Sequence, residues 1–584
     1  MSAVSDGAPA PGRLEETARL LTACQVPAHL AGPAVAVLGA TADQQLREDP
    51  WRLLLLPQIR PDQADWFARR ALGAGAGPQD SRRGRALTGY LLRRAARDGH
   101  TAVPAGVIAA ALGRLRIDDP AQAVESAVDE GTVLPFEVPD SDGGDGVLLA
   151  LAQYAMAEEA VAEGVQRLAA LAGPLPGPAG PEAGPDQAGT FQLDAAQQDA
   201  VRAAAEHGVS VLTGGPGTGK SQTIAAVVAM ATARGLRVAL AAPTGRAAKR
   251  LEELAGVPAA TVHRLLGAQG GEGRWVFTRN EDDPVNADLV VVDEAAMLDA
   301  ELAAALVEAC ADGARLLLVG DPAQLPSIGP GRVLADLVES GAVPVTELSR
   351  LYRQRSGGVI AQLATAVRGG TLAPVQAPDH EVVVVPVTSS QQATHRVIQL
   401  VTDSIPRALG IPAADIQVIT PVHQGDAGTA ELNRALKQRL NPGPGRHEGF
   451  DPGDRVVAVA SHPAEGFSNG ETGTVTGPGE GGLVIEFPAG PVCVPDRLLA
   501  DLRHGWAVTV HRAQGSEWPA VVAVFPAEAT GMLSRPLVYT ALTRAQRHLS
   551  VVHGAGPALA SAVADAGEQP RVTRLASLLG DAAT

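Results

Sequence analysis

GGPGTGKS, residues Gly214 to Ser221, follows a short apolar strand at Val209–Leu212 and precedes a helical run from Gln222. Gly214, Gly215, Gly217 and Gly219 let backbone N–H groups close around the phosphates of a nucleotide, and Pro216 and Thr218 complete the loop. Lys220 reaches the β- and γ-phosphates, and the Ser221 hydroxyl suits Mg²⁺. Gln222 lies in the helix whose N-terminus faces the anion. Alone, the loop indicates only a nucleoside triphosphate, because kinases, GTPases and motors share it.

Around the loop, strands alternate with helices. VSVLT (209–213), RVALAAP (237–243), ADLVVVDE (287–294) and ARLLLVGD (314–321) are short, continuous and aliphatic, the pattern of parallel strands buried on both faces. A second alternating block starts near Ile416 with IQVITPV, and Gly-rich short strands between Asp451 and Pro495 predict a small β-barrel inserted into it. The Pro/Gly/Ala tract AGPLPGPAGPEAGPDQAG (172–189) predicts a flexible boundary. Upstream, VPAHLAGPAVAVLG and LLPQIRPDQADWFARR read as helix–turn–helix hairpins, and 82–150 as a small helical or winged-helix module.

The carboxylate pair Asp293–Glu294 ends a buried strand. Asp293 suits Mg²⁺ held through its water shell, and Glu294 suits orienting and deprotonating an attacking water. Gln324 lies on the loop after the next strand, within VGDPAQLPSIGPG (319–331), where an amide senses a γ-phosphate. LSRLYRQ (348–354) sets Tyr352 beside Arg353, an aromatic for a base and a cation for developing phosphoryl charge. Arg544, in LVYTALTRAQ (537–546), offers a second such cation, and two arginines from distant sequence imply a nucleotide held between two domains. Gln197, shortly before the first strand, has the donor–acceptor pair that reads an adenine edge.

With 584 residues and 46% hydrophobic content the chain is long enough for several globular domains. Neither a membrane-spanning run nor a signal-like N-terminus is visible, so a cytoplasmic protein is expected. Cys24, Cys310 and Cys493 are isolated, which excludes zinc knuckles and iron–sulfur ligand sets. A net charge of −17 argues against nonspecific coating of nucleic acid but leaves room for one basic groove. The cluster Arg82, Arg83, Arg85, Arg93, Arg94 and Arg97 reads equally as a solvated helix face or a DNA-contacting one.

These motifs resemble, in order and spacing, those of superfamily 1 helicases, and in particular the RecD-like branch, subclass 1B. The resemblance rests on Gln197, GGPGTGKS, AAPTGRAAKRL (241–251), TVHRLLG (261–267), VVDEAAM, VGDPAQLPSIGPG, LYRQ, TVHRAQGSE (509–517) and YTALTRA (539–545), covering about 191–553. LREDPWRLL (46–54) and the segment around Gly99–His100 resemble the helix–hairpin–helix region of stand-alone members. Ala296, Arg512 and Ala513 depart from common choices without removing a group the chemistry needs. The N-terminal region is shorter than in the longest members, which implies that an extra oligonucleotide-binding module is missing.

The resemblance implies an α/β fold of two RecA-like P-loop domains with a small SH3-like β insert, preceded by an all-α N-terminal region. The expected divisions are a disordered tail at 1–12, helix–hairpin–helix at 13–75, a helical or winged-helix-like module at 76–171 and the linker at 172–189. RecA-like domain 1 then spans 190–347 with a strand-separating pin at 267–284, domain 2 spans 348–450 and 496–560, the insert 451–495 and a tail 561–584. The resemblance makes Gln197 the adenine reader and Tyr352 the base-stacking aromatic. Lys220, Ser221, Asp293, Glu294, Gln324, Arg353 and Arg544 become the hydrolytic set. Gln514, Gly515 and Glu517 would couple nucleotide to DNA. Pro243, Thr244, His263, Thr420, Thr509 and His511 would contact the strand. Trp275 and Phe277 in the pin either stack on a base or pack locally.

The expected activity is an ATP- and Mg²⁺-dependent DNA helicase moving 5′ to 3′ on single-stranded DNA and unwinding tailed duplex DNA in repair or recombination. The alternative is a DNA-stimulated ATPase that remodels protein–DNA complexes without unwinding. The expected partners are single-stranded and tailed duplex DNA, with single-strand-binding or repair proteins, for a monomeric motor with no membrane association.

Overall fold

The computed structural model describes residues 11–139, 145–175, 193–271, 274–350, 358–374, 380–462, 465–565 and 571–580. The chain divides into two compact units: residues 1–157 with 329–331 and 571–574, and residues 158–328 with 332–570 and 575–584.

The first unit begins with helices Pro11–Ala23, Ala31–Leu38, Ala42–Glu48, Pro61–Leu72 and Ser81–Arg97. Its core is organised around LREDPWRLL. The Asp49 carboxylate accepts from the Trp51 N–H (3.1 Å), and Pro50 starts a short 3₁₀ turn that buries Trp51, Leu53 and Leu54. The Trp51 indole N–H donates to Asp65 (2.8 Å), and Arg83 forks onto both Asp65 oxygens (2.8 and 2.9 Å). Buried indole and guanidinium therefore share one carboxylate, which satisfies both donors. Phe67, Leu87, Leu112 and Leu149 belong to this same core, so the segments expected as 13–75 and 76–171 are not separately packed.

The expectation of an all-α region needs correction. The region is predominantly helical, but Ala102–Pro104, Asp145–Leu151 and Val133–Pro139 form, in that order, a three-stranded antiparallel sheet. Pro135 and Pro139 disguise the last strand in sequence, and both are tolerated because it lies at the sheet edge. The arginine cluster also resolves in part: Arg82 pairs with Asp80, Arg83 with Asp65, and Arg85 with Asp49 and Glu130. Those three arginines hold the fold together.

The division between units falls inside helix Ala152–Leu171 rather than in the Pro/Gly tract, most of which lies outside the described residues. From Gly164 onward this helix packs on the second unit. A Cβ on Gly164 would lie 2.6 Å from Val307, and Arg167 donates to the Val307 carbonyl (2.8 Å).

The second unit contains two parallel sheets. The first runs Val345–Leu348, Val209–Gly214, Arg315–Gly320, Leu289–Val292, Val238–Ala242, Ala259–Thr261. The second runs Val382–Pro386, Ala545–His553, Trp518–Phe525, Ile416–Thr420, Ala507–Thr509. Parallel order aligns the strand C-termini of each sheet, and the loops leaving that edge carry the chemistry. A five-stranded antiparallel sheet with its own core of Phe467, Val475, Leu483, Ile485 and Phe487 is inserted into the second block. Its last strand, Leu502–His504, lies beyond the expected limit of 495. The pin segment contains a hairpin, Ala268–Gly271 paired with Arg274–Phe277.

Two tail expectations also change. Pro11 and Gly12 already belong to the first helix. Helix Leu575–Gly580, within the stretch expected as a C-terminal tail, lies against helix Val333–Ser340 and buries Leu575 and Leu579, one helical turn apart. No helix among the described residues is long and apolar enough to cross a membrane.

Candidate functional site

Strand Val209–Gly214 delivers the phosphate loop, and helix Lys220–Ala233 leaves it. Gly217 (φ 75°) and Gly219 (φ 92°) occupy the left-handed region, which a side chain would strain. At Gly214 a Cβ would lie 2.6 Å from the Thr218 hydroxyl and 2.9 Å from the Leu348 carbonyl. Thr218 is buried and donates to the Gly215 carbonyl (2.8 Å), which shapes the turn. The Lys220 ammonium donates to the carbonyls of Gly214 (2.6 Å) and Gly215 (3.1 Å), and so lies across the mouth of the loop.

The neighbouring strand Leu289–Val292 ends in Asp293 and Glu294. Asp293 accepts from the Glu294 N–H (2.8 Å), and Glu294 sits at φ 54°, an unfavourable conformation for a side-chain-bearing residue. Strain of this kind, of order ~1–3 kcal/mol, persists where surrounding structure enforces it, and active sites are a common place for it. Burial, followed by the adjacent Glu294 charge, raises the Asp293 carboxyl to about 6, with Lys220 and Arg250 opposing the shift. A buried carboxylate held that high favours a cation beside it.

Ser221, Gln222, Lys220, Asp293, Glu294, Gln324, Glu517 and Arg544 line one cavity of about 560 Å³ with Gly215, Pro216, Gly217 and Gly219. Residues more than 300 positions apart in sequence thus meet in one cleft between the two parallel sheets.

Hydrogen bonds lace the two walls of this cleft. Arg544, 2% exposed, donates to the Gln324 side-chain oxygen (2.9 Å) and to the carbonyls of Thr540 (3.1 Å) and Ser516 (3.3 Å). The Gln514 amide donates to the Leu325 carbonyl (2.7 Å), while the Leu325 N–H donates to the Thr540 hydroxyl (2.8 Å). The Tyr539 hydroxyl donates to Asp321 (2.7 Å), and burial together with that carboxylate pushes the phenol well above its ordinary range. Glu517 pairs with Arg250 (3.0 Å) and accepts from Gln546 (3.3 Å).

Gln197 is 2% exposed and sits in a capping box. Its side-chain oxygen accepts from the Asp194 N–H (3.0 Å), and its own N–H donates to Asp194 (2.8 Å). Only the amide nitrogen remains, buried and without a hydrogen-bond partner, so one of the two expected adenine contacts is already committed. Gln197 is not among the residues lining the cavity. Tyr352 and Arg353 lie outside the described residues.

The expected strand contacts separate into two groups. Pro243, Thr244, His263 and His511 are half-buried. Thr420 is fully buried with its hydroxyl donated to the Ala427 carbonyl (3.2 Å), and Thr509 is 6% exposed, so neither side chain presents itself to a strand in this structure. Gly515 adopts φ 67° with Thr244 against it. Trp275 meets His263 edge-on with centroids 5.3 Å apart, and Phe277 lies 6.1 Å from the same ring. Burial lowers the His263 pKa, which favours the neutral imidazole in this contact. The packing alternative for the two aromatics is therefore the arrangement present.

Sequence reasoning missed Arg250, Gln546, Tyr539 and Asp321. Arg250 lies within AAPTGRAAKRL, four residues after Arg246 and on the same helix face, a spacing that was available as a signal. Gln546 and Asp321 carry no sequence mark of their own. Among the described residues no group of three or more His, Cys, Asp or Glu is placed to hold a metal ion. Asp293 and Ser221 both line the cavity.

Comparison with known proteins follows the same lines. Residues 12–102 match the family described as the ATP-dependent RecD2 DNA helicase HHH domain, 192–384 an AAA domain, and 504–552 the UvrD-like helicase C-terminal domain. An ATP-dependent RecD2 DNA helicase of Deinococcus radiodurans is 36% identical over 528 residues, covering 88% of this chain and 71% of that protein. The RecBCD enzyme subunit RecD of Mycobacterium tuberculosis is 34% identical over 409 residues, covering 61% of this chain and 68% of that one. A crystal structure of a Pif1 helicase from Bacteroides with ADP-AlF3 and ssDNA covers 60% of this chain and 90% of its own, with 16% identity and a TM-score of 0.38, a likeness too low to argue from.

Proposed function

The chain belongs to the ATP-dependent RecD2 DNA helicases, and on that premise we propose how its own residues turn ATP hydrolysis into movement along DNA. The protein is an ATP-dependent DNA helicase with a nucleotide-binding P-loop core.

We assign the nucleotide to the cleft lined by Lys220, Glu294, Gln324 and Arg544. Backbone N–H groups of Gly215–Gly219 bind the phosphates, and the helix that begins at Lys220 adds its positive end. Lys220 exchanges its bonds to the loop carbonyls for the β- and γ-phosphates. Asp293 and Ser221 would hold Mg²⁺, which would supply positive charge to the phosphates. Glu294, on its strained backbone, orients the attacking water and takes its proton. Arg544 supplies positive charge to the transferred phosphoryl group, and Arg353 is proposed beside it from the motif order. The amide nitrogen of Gln197 remains for the adenine edge.

The observation that carries this reading is the Arg544–Gln324 bond. Gln324 sits on the loop after strand Arg315–Gly320 of the first sheet, Arg544 immediately before strand Ala545–His553 of the second, and both line the phosphate cavity. Loss of the γ-phosphate then alters both sides of the cleft at once, and Leu325, beside Gln324, passes the change through its bond with Gln514 to TVHRAQGSE. Single-stranded DNA is proposed to run over Pro243, Thr244, His263 and His511, with 5′-to-3′ movement, a monomeric motor and an SH3-like insert as the finer expectations. Repair or recombination, with single-strand-binding or repair proteins as partners, is the proposed setting. Thr420 and Thr509 support these loops from inside.

Arg544→Lys tests the assignment, because it keeps charge and volume but loses the fork. Turnover at saturating ATP should fall by about 10³-fold, with nucleotide affinity within a few-fold of wild type. Weakened ATP binding with an intact saturated rate would contradict the placement of Arg544.

A further inference from the structure

Arg246, Lys249 and Arg250 share one face of helix Gly245–Ala255 and line a second cavity, of about 490 Å³. Arg455, which opens strand Arg455–Ala458 of the small antiparallel sheet, lines it as well. Four cations from two elements therefore converge on one space.

Two of them, Arg246 and Arg455, have no carboxylate partner among the described residues. Arg246 lies over the Trp518 ring (4.6 Å) and makes one long hydrogen bond, to the Glu517 carbonyl (3.4 Å). Arg455 donates to the carbonyls of Ile416 (3.0 Å) and Ala414 and to the Gln417 side-chain oxygen (3.3 Å), which fixes its position without neutralising it. Burial, followed by Arg250, lowers the Arg246 pKa, and burial, followed by Arg246, brings Arg455 down to about 10. Like charges held together away from water are relieved by an anion placed among them. The carboxylates of the same cavity do not fill that role. Glu253, Asp415 and Glu486 are exposed residues screened by solvent, and Glu517 is paired with Arg250 (3.0 Å).

This cavity adjoins the nucleotide cleft, because Arg250, Glu253, Glu517 and Gln546 line both. The Arg250–Glu517 pair, joined by Gln546 (3.3 Å), is part of the partition. Against burial, Glu517 and then Asp293 and Glu294 raise the Arg250 pKa, so this guanidinium lies in the field of the hydrolytic carboxylates while it borders the second cavity.

We propose that the second cavity receives the inorganic phosphate of each turnover as it leaves the cleft, with the Arg250–Glu517 pair as the gate and Arg246 and Arg455 as the next partners of the anion. The inference rests on the proposed placing of the nucleotide in the cleft lined by Lys220, Glu294, Gln324 and Arg544. Water adds to the γ-phosphorus, the bond to the bridging oxygen breaks, and ADP, inorganic phosphate and a proton result. The freed phosphate takes Arg250 from Glu517, and the two unpaired arginines beyond lower the cost of moving its charge outward.

The test follows a single turnover of ATP by the full chain with Mg²⁺ and saturating oligo-dT. Cleavage is read by acid quench, and free phosphate by a fluorescent phosphate-binding protein. Arg246→Gln and Arg455→Gln should cleave ATP at close to the wild-type rate but lengthen the delay between cleavage and release by about 5- to 10-fold, the order expected for one partly solvated charge-assisted contact. Arg246→Lys and Arg455→Lys, which keep the charge, should release phosphate nearly as wild type does. Arg455 also holds backbone carbonyls, so Arg246→Gln bears the test should Arg455→Gln fold poorly. Release that follows cleavage in Arg246→Gln as closely as in wild type would overturn the proposal. A delay equally long in the Lys variants would overturn it too, since the arginines would then act through packing. Weaker oligo-dT binding by Arg246→Gln with release unchanged would give the cavity to a phosphate of the DNA strand instead. Arg544→Lys reports on the underlying reading separately: cleavage there at the wild-type rate would remove the nucleotide from the cleft, and the exit with it.

Discussion

At the scale of single residues, the hydrolytic assignment makes separable demands on Lys220 and Glu294. Lys220 is the only cationic side chain in the loop, so Lys220→Ala should reduce ATPase by about 10²- to 10³-fold or more, measured as steady-state phosphate production. Glu294→Gln preserves shape and the backbone turn but cannot take a proton. Turnover should fall by about 10²- to 10⁴-fold while labelled ATP remains bound. Wild-type turnover in Glu294→Gln would remove Glu294 from the role of base. Residue chemistry was largely legible because each group ends a recognisable strand. Two things were hidden. The Gln197 side chain is half spent on its own helix cap, a commitment only the Asp194 geometry reveals. Arg250 enters the cavity by pairing with Glu517, which lies 267 residues further along the chain and beside the other parallel sheet.

At the scale of elements, the parallel strands were readable because burial on both faces demands uninterrupted aliphatic runs, and those at 209–213, 289–292 and 315–319 stop at the Gly or Asp that begins a loop lining the cavity or beside it. The sheet in the N-terminal unit was not readable. Ala102–Pro104 is only three residues long, and Val133–Pro139 contains two prolines that its edge position tolerates. The helix Ala152–Leu171 gave no sign of where the two units divide, since amphipathic spacing does not record which partner a face covers. The hairpin at 267–284 carries its own prediction. Translocation needs only alternating grip by the two sheets, whereas strand separation must oppose ~1.4 kcal/mol of stacking per base pair. Trp275 and Phe277 pack against His263, and we propose the hairpin they belong to as the obstacle. Replacing 267–284 with a short Gly-Ser turn should leave DNA-stimulated ATPase and single-strand translocation close to wild type while unwinding collapses. Equal loss of all three activities would make the segment structural, and full unwinding would move the wedge elsewhere.

At the scale of the whole molecule, a net charge of −17 argues against general attraction for DNA and in favour of the local contacts proposed at Pro243, Thr244, His263 and His511. Two α/β sheets face one phosphate cavity, Arg544 and Gln324 bond across it, and the proposed cycle is that hydrolysis changes what they hold. The central claim is that this cycle drives directional unwinding. The most direct measurement uses two otherwise identical duplexes, one with a 5′ and one with a 3′ single-stranded tail, and follows strand displacement with ATP and Mg²⁺. The account predicts rapid displacement from the 5′-tailed duplex, little from the 3′-tailed one, and none on either with Lys220→Ala. Displacement of the 3′-tailed duplex in preference, or of neither while DNA-stimulated ATP hydrolysis continues, would contradict it.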